Sequence, residues 1–194
     1  MTTELLEPRT EPRWPAHSPQ RPAQTAARPA PQALPPERCE PAAHAPSPAW
    51  AAPLSDATAE ARVVEANAHV EGPGARVART LCVLVRYALD HPVEARVLAR
   101  RFAVSGVARR VRLDVTEGWA LGAFKARDLE TAELAALGVV EIALQRALDC
   151  GPDPATPLIT RELAFGLLRA LGLPDSVAGA HARDAALEIL ITPH

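Results

Sequence analysis

The sequence lacks glycine before Gly72, and Lys125 is its only lysine. It also lacks an uninterrupted run of 18 apolar residues, because Arg, Asp or Glu breaks each hydrophobic stretch, and this excludes a transmembrane helix. Acidic and basic residues are nearly balanced in every part of the chain, which has a net charge of −2. We therefore find no basic region of the kind that marks a nucleic-acid surface.

Cysteine is also scarce. Cys39, Cys82 and Cys150 are odd in number and widely spaced, without a Cys-x-x-Cys pair. The first 13 residues lack the apolar stretch of an export signal, so we predict a cytoplasmic protein. Cys39 and His44 lie five residues apart, but the two further ligands that a metal site needs are missing. The sequence predicts neither a metal site nor a cofactor.

Proline is unevenly distributed. Residues 1–53 hold 13 of the 20 prolines, and no proline-free run among them exceeds seven residues. Because proline costs about 3 kcal/mol inside a helix, we expect no helix here and predict a disordered segment. Residues 54–194 are long enough for one domain with a buried core.

From Asp56 onward, apolar residues recur at helical spacing and hardly ever alternate. This pattern predicts an all-α bundle of about six to seven helices. The predicted helices cover about 57–69, 75–90, 92–102, 107–124, 129–149, 158–171 and 175–190.

Three of these helices carry further expectations. In the fourth helix, four residues at i+4 spacing are expected to form a buried row, or ladder: Val107, Val111, Val115 and Trp119. Two glycines that are also four apart, Gly118 and Gly122, favour the close approach of another helix. Val93 is expected on the buried stripe of the third helix. Asp128 is a candidate N-cap for the fifth helix, which is apolar on more than one face and is therefore expected to be buried on both sides.

The order of these signals resembles the C-terminal ligand-binding and dimerisation domain of TetR/AcrR-type transcriptional regulators. The resemblance covers about residues 57–191. It is carried by YALDHP at 87–92 with the arginine-rich helix that follows, by EG at 117–118 with GAF at 122–124 and Asp128, and by LLRALGL at 167–173.

The resemblance implies a homodimer that binds a small apolar effector among its central helices. Candidate pocket residues are Arg86, Tyr87, Phe102, Trp119 and Phe124, with His91 as a further polar contact; ordinary core packing is the alternative for each. The late helices would form the dimer interface. Its candidate residues are Leu137, Val140, Leu144, Leu148, Leu163, Leu167, Leu171, Ala182 and Ala186.

In that family an N-terminal helix-turn-helix of about fifty residues binds DNA. Residues 1–53 stand in its place, but they lack a glycine for the turn, contain too much proline and carry five Arg against five Glu. They are either a genuine proline-rich lead or the product of a reading-frame shift upstream of about Leu54. DNA binding is expected only if the native product has a helix-turn-helix.

Catalytic motifs are missing from the sequence. It has no His-Glu-x-x-His, no Gly-x-Ser-x-Gly and no phosphate-binding glycine loop, so we do not expect an enzyme. The leading hypothesis is a TetR-like transcriptional regulator. The alternative is a stand-alone dimeric helical interaction module with a disordered tail and no DNA activity.

Overall fold

The computed structural model describes residues 51–192, with side chains from Asp56 to Thr192. The predictions for residues 1–50, including those for Cys39 and His44, lie outside the described residues. The described part contains seven α-helices and no strand, which confirms the predicted all-α class. None of the described helices combines the length and the apolar composition that a membrane-spanning helix requires.

The second helix is central and packs against each of the other six described helices. A short 3-10 turn, Phe102–Val104, precedes α4, and a π-helical turn, Leu187–Ile191, continues α7. The α-helices are α1 Ala51–Asn67, α2 Pro73–Asp90, α3 Pro92–Ala99, α4 Gly106–Ala120, α5 Leu129–Cys150, α6 Thr156–Ala170 and α7 Asp175–Ala186.

The first helix begins earlier than its sequence predicts. Its start at Ala51 places Pro53 in the first turn, where a backbone N–H has no intrahelical acceptor and proline is tolerated. The expectation of no helix up to Pro53 is therefore wrong for its last three residues. In α3, the predicted stripe is also wrong at Val93, which is 63% exposed, whereas Leu98 is buried.

Helix α4 follows its predicted ladder only in part. Ser105 caps it, because the Ser105 hydroxyl accepts a hydrogen bond from the backbone N–H of Ala108 at 3.0 Å. The three ladder valines are fully buried. The helix ends at Ala120 rather than near residue 124, so Trp119 leaves the core and is 45% exposed.

The two glycines near this end do not bring helices together. A Cβ at Gly118 would lie 2.3 Å from the ring of Phe124, so the absent side chain makes room for that ring. Gly122 has a φ of +68° and lies in the turn after the helix, a conformation that favours glycine. Gly118 therefore leaves space beside α4 for the Phe124 ring, and Gly122 forms the turn by which the chain returns to the helix.

Helix α5 has the predicted N-cap and one exposed side. The Asp128 carboxylate accepts a hydrogen bond from the backbone N–H of Thr131 at 2.8 Å. Leu134 and Ile142 are 63% and 61% exposed. One side of α5 is therefore exposed, so the expectation that this helix is buried on both sides is wrong for the single chain.

The last two helices pack closely through a tight link and small side chains. After α6, Gly172 adopts a φ of +90°, and the N–H groups of Gly172 and Leu173 donate to the carbonyls of Arg169 and Leu168. This pair of hydrogen bonds is typical of a helix that ends at a glycine in the left-handed conformation. The buried alanines of α7 then allow α6 and α2 to approach: Ala178, Ala182, Ala185 and Ala186.

Candidate functional site

A small cavity of about 240 Å³ lies among the end of α1, the start of α2 and the second half of α4. Asp114 is its central polar residue and is only 5% exposed. It lies three residues after Val111 and one before Val115, so helical periodicity carries its carboxylate to the buried side of α4. The lining residues are Val64, Asn67, Ala68, Arg76, Arg110, Asp114 and Glu117.

An arginine of α2 connects two carboxylates of α4 at this cavity. Arg76 Nε lies 2.7 Å from Asp114 Oδ1, and its Nη2 lies 2.6 Å from Glu117 Oε2. Burial raises the pKa of Asp114 above its ordinary value, although the hydrogen bond from Arg76 acts in the opposite direction. The ion pair with Arg76 therefore offsets only part of the cost of burying the charged Asp114 carboxylate.

The second oxygen of this carboxylate, Asp114 Oδ2, is buried and has no hydrogen-bond partner among the described residues. Asn67 shows the same feature: its Nδ2 donates to Thr80 Oγ1 at 3.0 Å, which leaves its buried Oδ1 without a partner. A buried acceptor without a donor is costly. Two of the residues that line the cavity therefore each carry a buried acceptor without a hydrogen-bond partner among the described residues.

Helix α1, which forms one wall of the cavity, also contacts the start of α4. Both carboxylate oxygens of Asp56 accept from the backbone N–H of Gly106, at 3.0 and 3.1 Å. Glu60 lies 3.2 Å from Arg109. The beginning of α1 is thus held by the N-terminus of α4, a favourable place for carboxylates, while the end of α1 lines the cavity.

A larger, open groove of about 820 Å³ lies along α1 and α2 near the end of the chain. An ion pair between Arg79 and Glu188 crosses it, with Arg79 Nη2 lying 2.8 Å from Glu188 Oε1. Arg62 contacts His91 at 2.9 Å. The arginines in this groove therefore already have protein partners, since Arg86 also pairs with Asp90.

The predicted effector-pocket residues are not gathered around one described cavity. Tyr87 and Phe102 are 1% exposed and Phe124 is 3% exposed, so all three are packed in the core, whereas Trp119 is at the surface. Arg86 lines the open groove, where its guanidinium pairs with the neighbouring Asp90 at 2.9 Å. Their role in binding an effector stays a prediction.

His91, the further polar candidate, belongs to a contact between α1 and the break after α2. Its ring centroid lies 5.2 Å from that of Tyr87, and the guanidinium of Arg62 lies 5.8 Å from the Tyr87 centroid. These distances describe a packed aromatic and cationic cluster. The cluster explains the position of His91 without a ligand.

The predicted dimer-interface side chains mostly pack inside the chain. Leu163 is only partly buried, but the other eight are at most 7% exposed: Leu137, Val140, Leu144, Leu148, Leu167, Leu171, Ala182 and Ala186. These eight side chains are therefore already packed within one chain, and their role in a dimer interface stays a prediction. The large apolar side chains that α5, α6 and α7 expose are Leu134, Ile142, Leu158 and Val177.

Sequence reasoning missed the cavity residues, although α4 contained a signal for them. Asp114 and Arg110 are four residues apart, and Asp114 lies on the same helical face as the buried valines. A carboxylate at a core position needs a partner, and this need could have pointed to an arginine nearby. The partner, Arg76, is 38 residues away, so its identity follows only from the packing of α2 on α4.

Other kinds of chemistry have little support in the described residues. No group of three or more His, Cys, Asp or Glu is placed to hold a metal ion among residues 56–192. Burial raises the pKa of the Cys82 thiol to about 12. Cys82 therefore has almost no thiolate at neutral pH and is not suited to be a nucleophile.

No family model and no curated protein matches the chain. Among solved structures, RolR in complex with the ligand resorcinol is 21% identical, with 68% of this chain and 68% of RolR covered, at a TM-score of 0.50. RolR without ligand is 22% identical, with 69% and 71% covered, at a TM-score of 0.48. The likeness to the resorcinol complex supports a TetR-like fold for the described helices.

Proposed function

We propose that this protein is a TetR-like transcriptional regulator whose described helices bind a small effector and form a homodimer. The fold likeness to RolR supports this class, and RolR was solved with a small molecule, resorcinol. The observation that carries the proposal is the cavity with two unsatisfied acceptors beside α1. Helix α1 directly follows the residues that stand where that family has its DNA-binding segment.

We locate the effector at this cavity rather than among the aromatic residues expected from the sequence. Tyr87, Phe102 and Phe124 pack in the core, whereas Asn67 and Asp114 offer free acceptors. An effector here would contact the end of α1, whose beginning is attached to α4 through Asp56. It would shift the population between two positions of α1 if it binds one of them more tightly.

We propose that the homodimer uses the exposed apolar side chains of α5 and α6, namely Leu134, Ile142 and Leu158. Sedimentation velocity of the full chain should then show a dimer, and Ile142→Asp should shift it to a monomer because a charge would be buried in the interface. Val104→Asp, which places the same charge at an exposed apolar position outside α5 and α6, serves as the control. A monomeric wild type would contradict this part of the proposal.

The regulator is expected to act on DNA in the cytoplasm only if the native product has a helix-turn-helix, and neither a membrane nor a cofactor is expected. Selection of random DNA duplexes with the protein purified from its native source, whose N-terminal sequence reports which product is translated, tests this directly. Enrichment of a two-fold symmetric sequence, with half-sites roughly one helical turn apart, is expected of a dimeric reader of the major groove. No enrichment would overturn the regulator and favour the alternative, a dimeric helical interaction module without DNA activity.

A further inference from the structure

We propose that the cavity beside Asp114 binds a small, uncharged molecule that carries hydroxyl groups. Asn67 and Asp114 would accept hydrogen bonds from these hydroxyls, and Arg110 would donate to them. The inference rests on the proposed function in one respect, since it takes this cavity as the effector site. The class of ligand follows from the cavity's own residues.

The need for donors on the ligand follows from the two buried oxygens. Asp114 Oδ2 and Asn67 Oδ1 both belong to cavity-lining residues and have no partner among the described residues. The other polar atoms of these side chains are engaged, since Asp114 Oδ1 accepts from Arg76 and Asn67 Nδ2 donates to Thr80. A ligand O–H or N–H would satisfy an acceptor that otherwise destabilises the fold.

The charges around the cavity favour a neutral ligand. Two arginines, Arg76 and Arg110, face two carboxylates, Asp114 and Glu117, so the lining charges sum to zero. An added cation or anion would be left without a counter-charge in a partly buried site. The cavity therefore selects against ammonium and carboxylate groups.

Hydroxyl groups also suit the remaining arginine. Arg110 lines the cavity; its charge acts on Asp114 in the direction that lowers the pKa of that carboxylate, but Arg110 forms no ion pair within residues 56–192. A hydroxyl has one donor and two acceptor lone pairs, so the same group can donate to Asp114 and accept from Arg110. An amine cation can only donate, and a carboxylate can only accept.

The size and the apolar wall restrict the ligand further. The volume of about 240 Å³ is below the range of about 300–1,000 Å³ that is usual for drug-sized ligands. Val64 and Ala68 add aliphatic surface from α1. A compact carbon skeleton with two hydroxyls fits these limits better than a long chain.

Isothermal titration calorimetry on the full chain tests the ligand class with defined probes. Hydroquinone, cyclohexane-1,4-diol and butane-1,4-diol each offer two hydroxyls, and 1,4-dimethoxybenzene is matched to hydroquinone but has no donor. We expect at least one diol to bind with a Kd below about 1 mM, and the dimethoxy compound to bind at least about tenfold more weakly. Benzylamine and benzoate should also bind more weakly than that diol.

Substitutions show whether such binding occurs at this cavity. Asp114→Leu and Asn67→Leu each remove one acceptor and should weaken the best diol at least about tenfold. Asp184→Leu, at an exposed position of α7, is the matched control and should leave its Kd unchanged. Circular dichroism checks folding, and Asn67→Leu keeps the test decisive if Asp114→Leu does not fold.

Three results would overturn the inference. These are no heat from any of the three diols up to about 10 mM, equal affinity for the dimethoxy compound, or unchanged affinity in both cavity variants. In the first case, water alone would satisfy the two oxygens. Diol binding without DNA enrichment would instead refute the regulator and leave this inference intact, so the two failures are distinguishable.

Discussion

Two sides of the bundle are held together by different forces. Where α5, α6 and α7 pack on α2, the contacts are apolar, and Leu144, Leu168 and Ala178 have no exposed surface. Where α1 meets α4 and the start of α2, directional polar contacts such as those of Asp56 and Asp114 are added to the apolar burial of Ala59 and Val63. Apolar burial stabilises without regard to direction, whereas the polar side leaves two buried acceptors without a partner among the described residues.

The largest expected effect tests the apolar side. Leu144→Ala should lower the free energy of unfolding by roughly 2–5 kcal/mol, because it removes a fully buried side chain and leaves a cavity. Ile142→Ala, two residues away and 61% exposed, should change it by less than about 0.5 kcal/mol in the monomer. Urea unfolding at low protein concentration measures both. Equal losses would mean that α5 does not pack as described.

The next effect concerns the ion pair on the polar side. Arg76→Ala should cost about 3 kcal/mol, because it removes the guanidinium that is hydrogen-bonded to the buried Asp114 carboxylate. Asp114→Asn should cost much less, since Arg76 keeps its contact with Glu117. Urea unfolding of the two variants compares them. A larger loss for Asp114→Asn than for Arg76→Ala would contradict this description of the cavity.

A smaller effect is expected at the start of α4. Ser105→Ala should lower stability by about 1 kcal/mol, because it removes the side-chain cap that accepts from the Ala108 N–H. Ser176→Ala, on the exposed side of α7, is the control and should have little effect. Thermal unfolding measures both, and a neutral Ser105→Ala would show that the Asp56 carboxylate alone is sufficient to cap this helix.

The smallest effect is a dependence on pH that comes from Asp114. Its pKa is raised in the folded state, mainly by burial, so the native protein binds the proton more tightly than the unfolded chain does. The contribution of this group to stability therefore increases as the pH falls from the raised pKa towards the ordinary value of 3.8. Wild type should gain stability relative to Asp114→Asn in this window. A relative loss in urea unfolding would contradict the sign.

The fold was predictable where one chemical pattern decided the outcome. The breaks at Pro92 and Gly151 and the cap at Asp128 are local signals, and they define α3 and both ends of α5. The end of α4 was not predictable, because Val115 and Trp119 continue the helical spacing although the chain turns at Gly122. Local spacing does not show where tertiary contacts end a helix.

The site was harder to predict than the fold. Ligand pockets are often apolar, which makes aromatic residues the natural candidates; Tyr87 and Phe102 pack in the core of the chain, and their role in binding an effector stays a prediction. The cavity depends on Asn67, Arg76 and Asp114, which come from three helices. Single-sequence patterns report faces within one helix, and they do not report which polar residues of different helices meet.

Amide hydrogen exchange of the full chain with and without hydroquinone, or the diol that calorimetry finds tightest, tests the central claim most directly. If the polar side is the effector site, the diol should slow exchange at the end of α1, the start of α2 and the second half of α4, and leave α5 to α7 unchanged. Slower exchange confined to α5, α6 and α7, or none in any helix at a saturating diol concentration, would contradict the account.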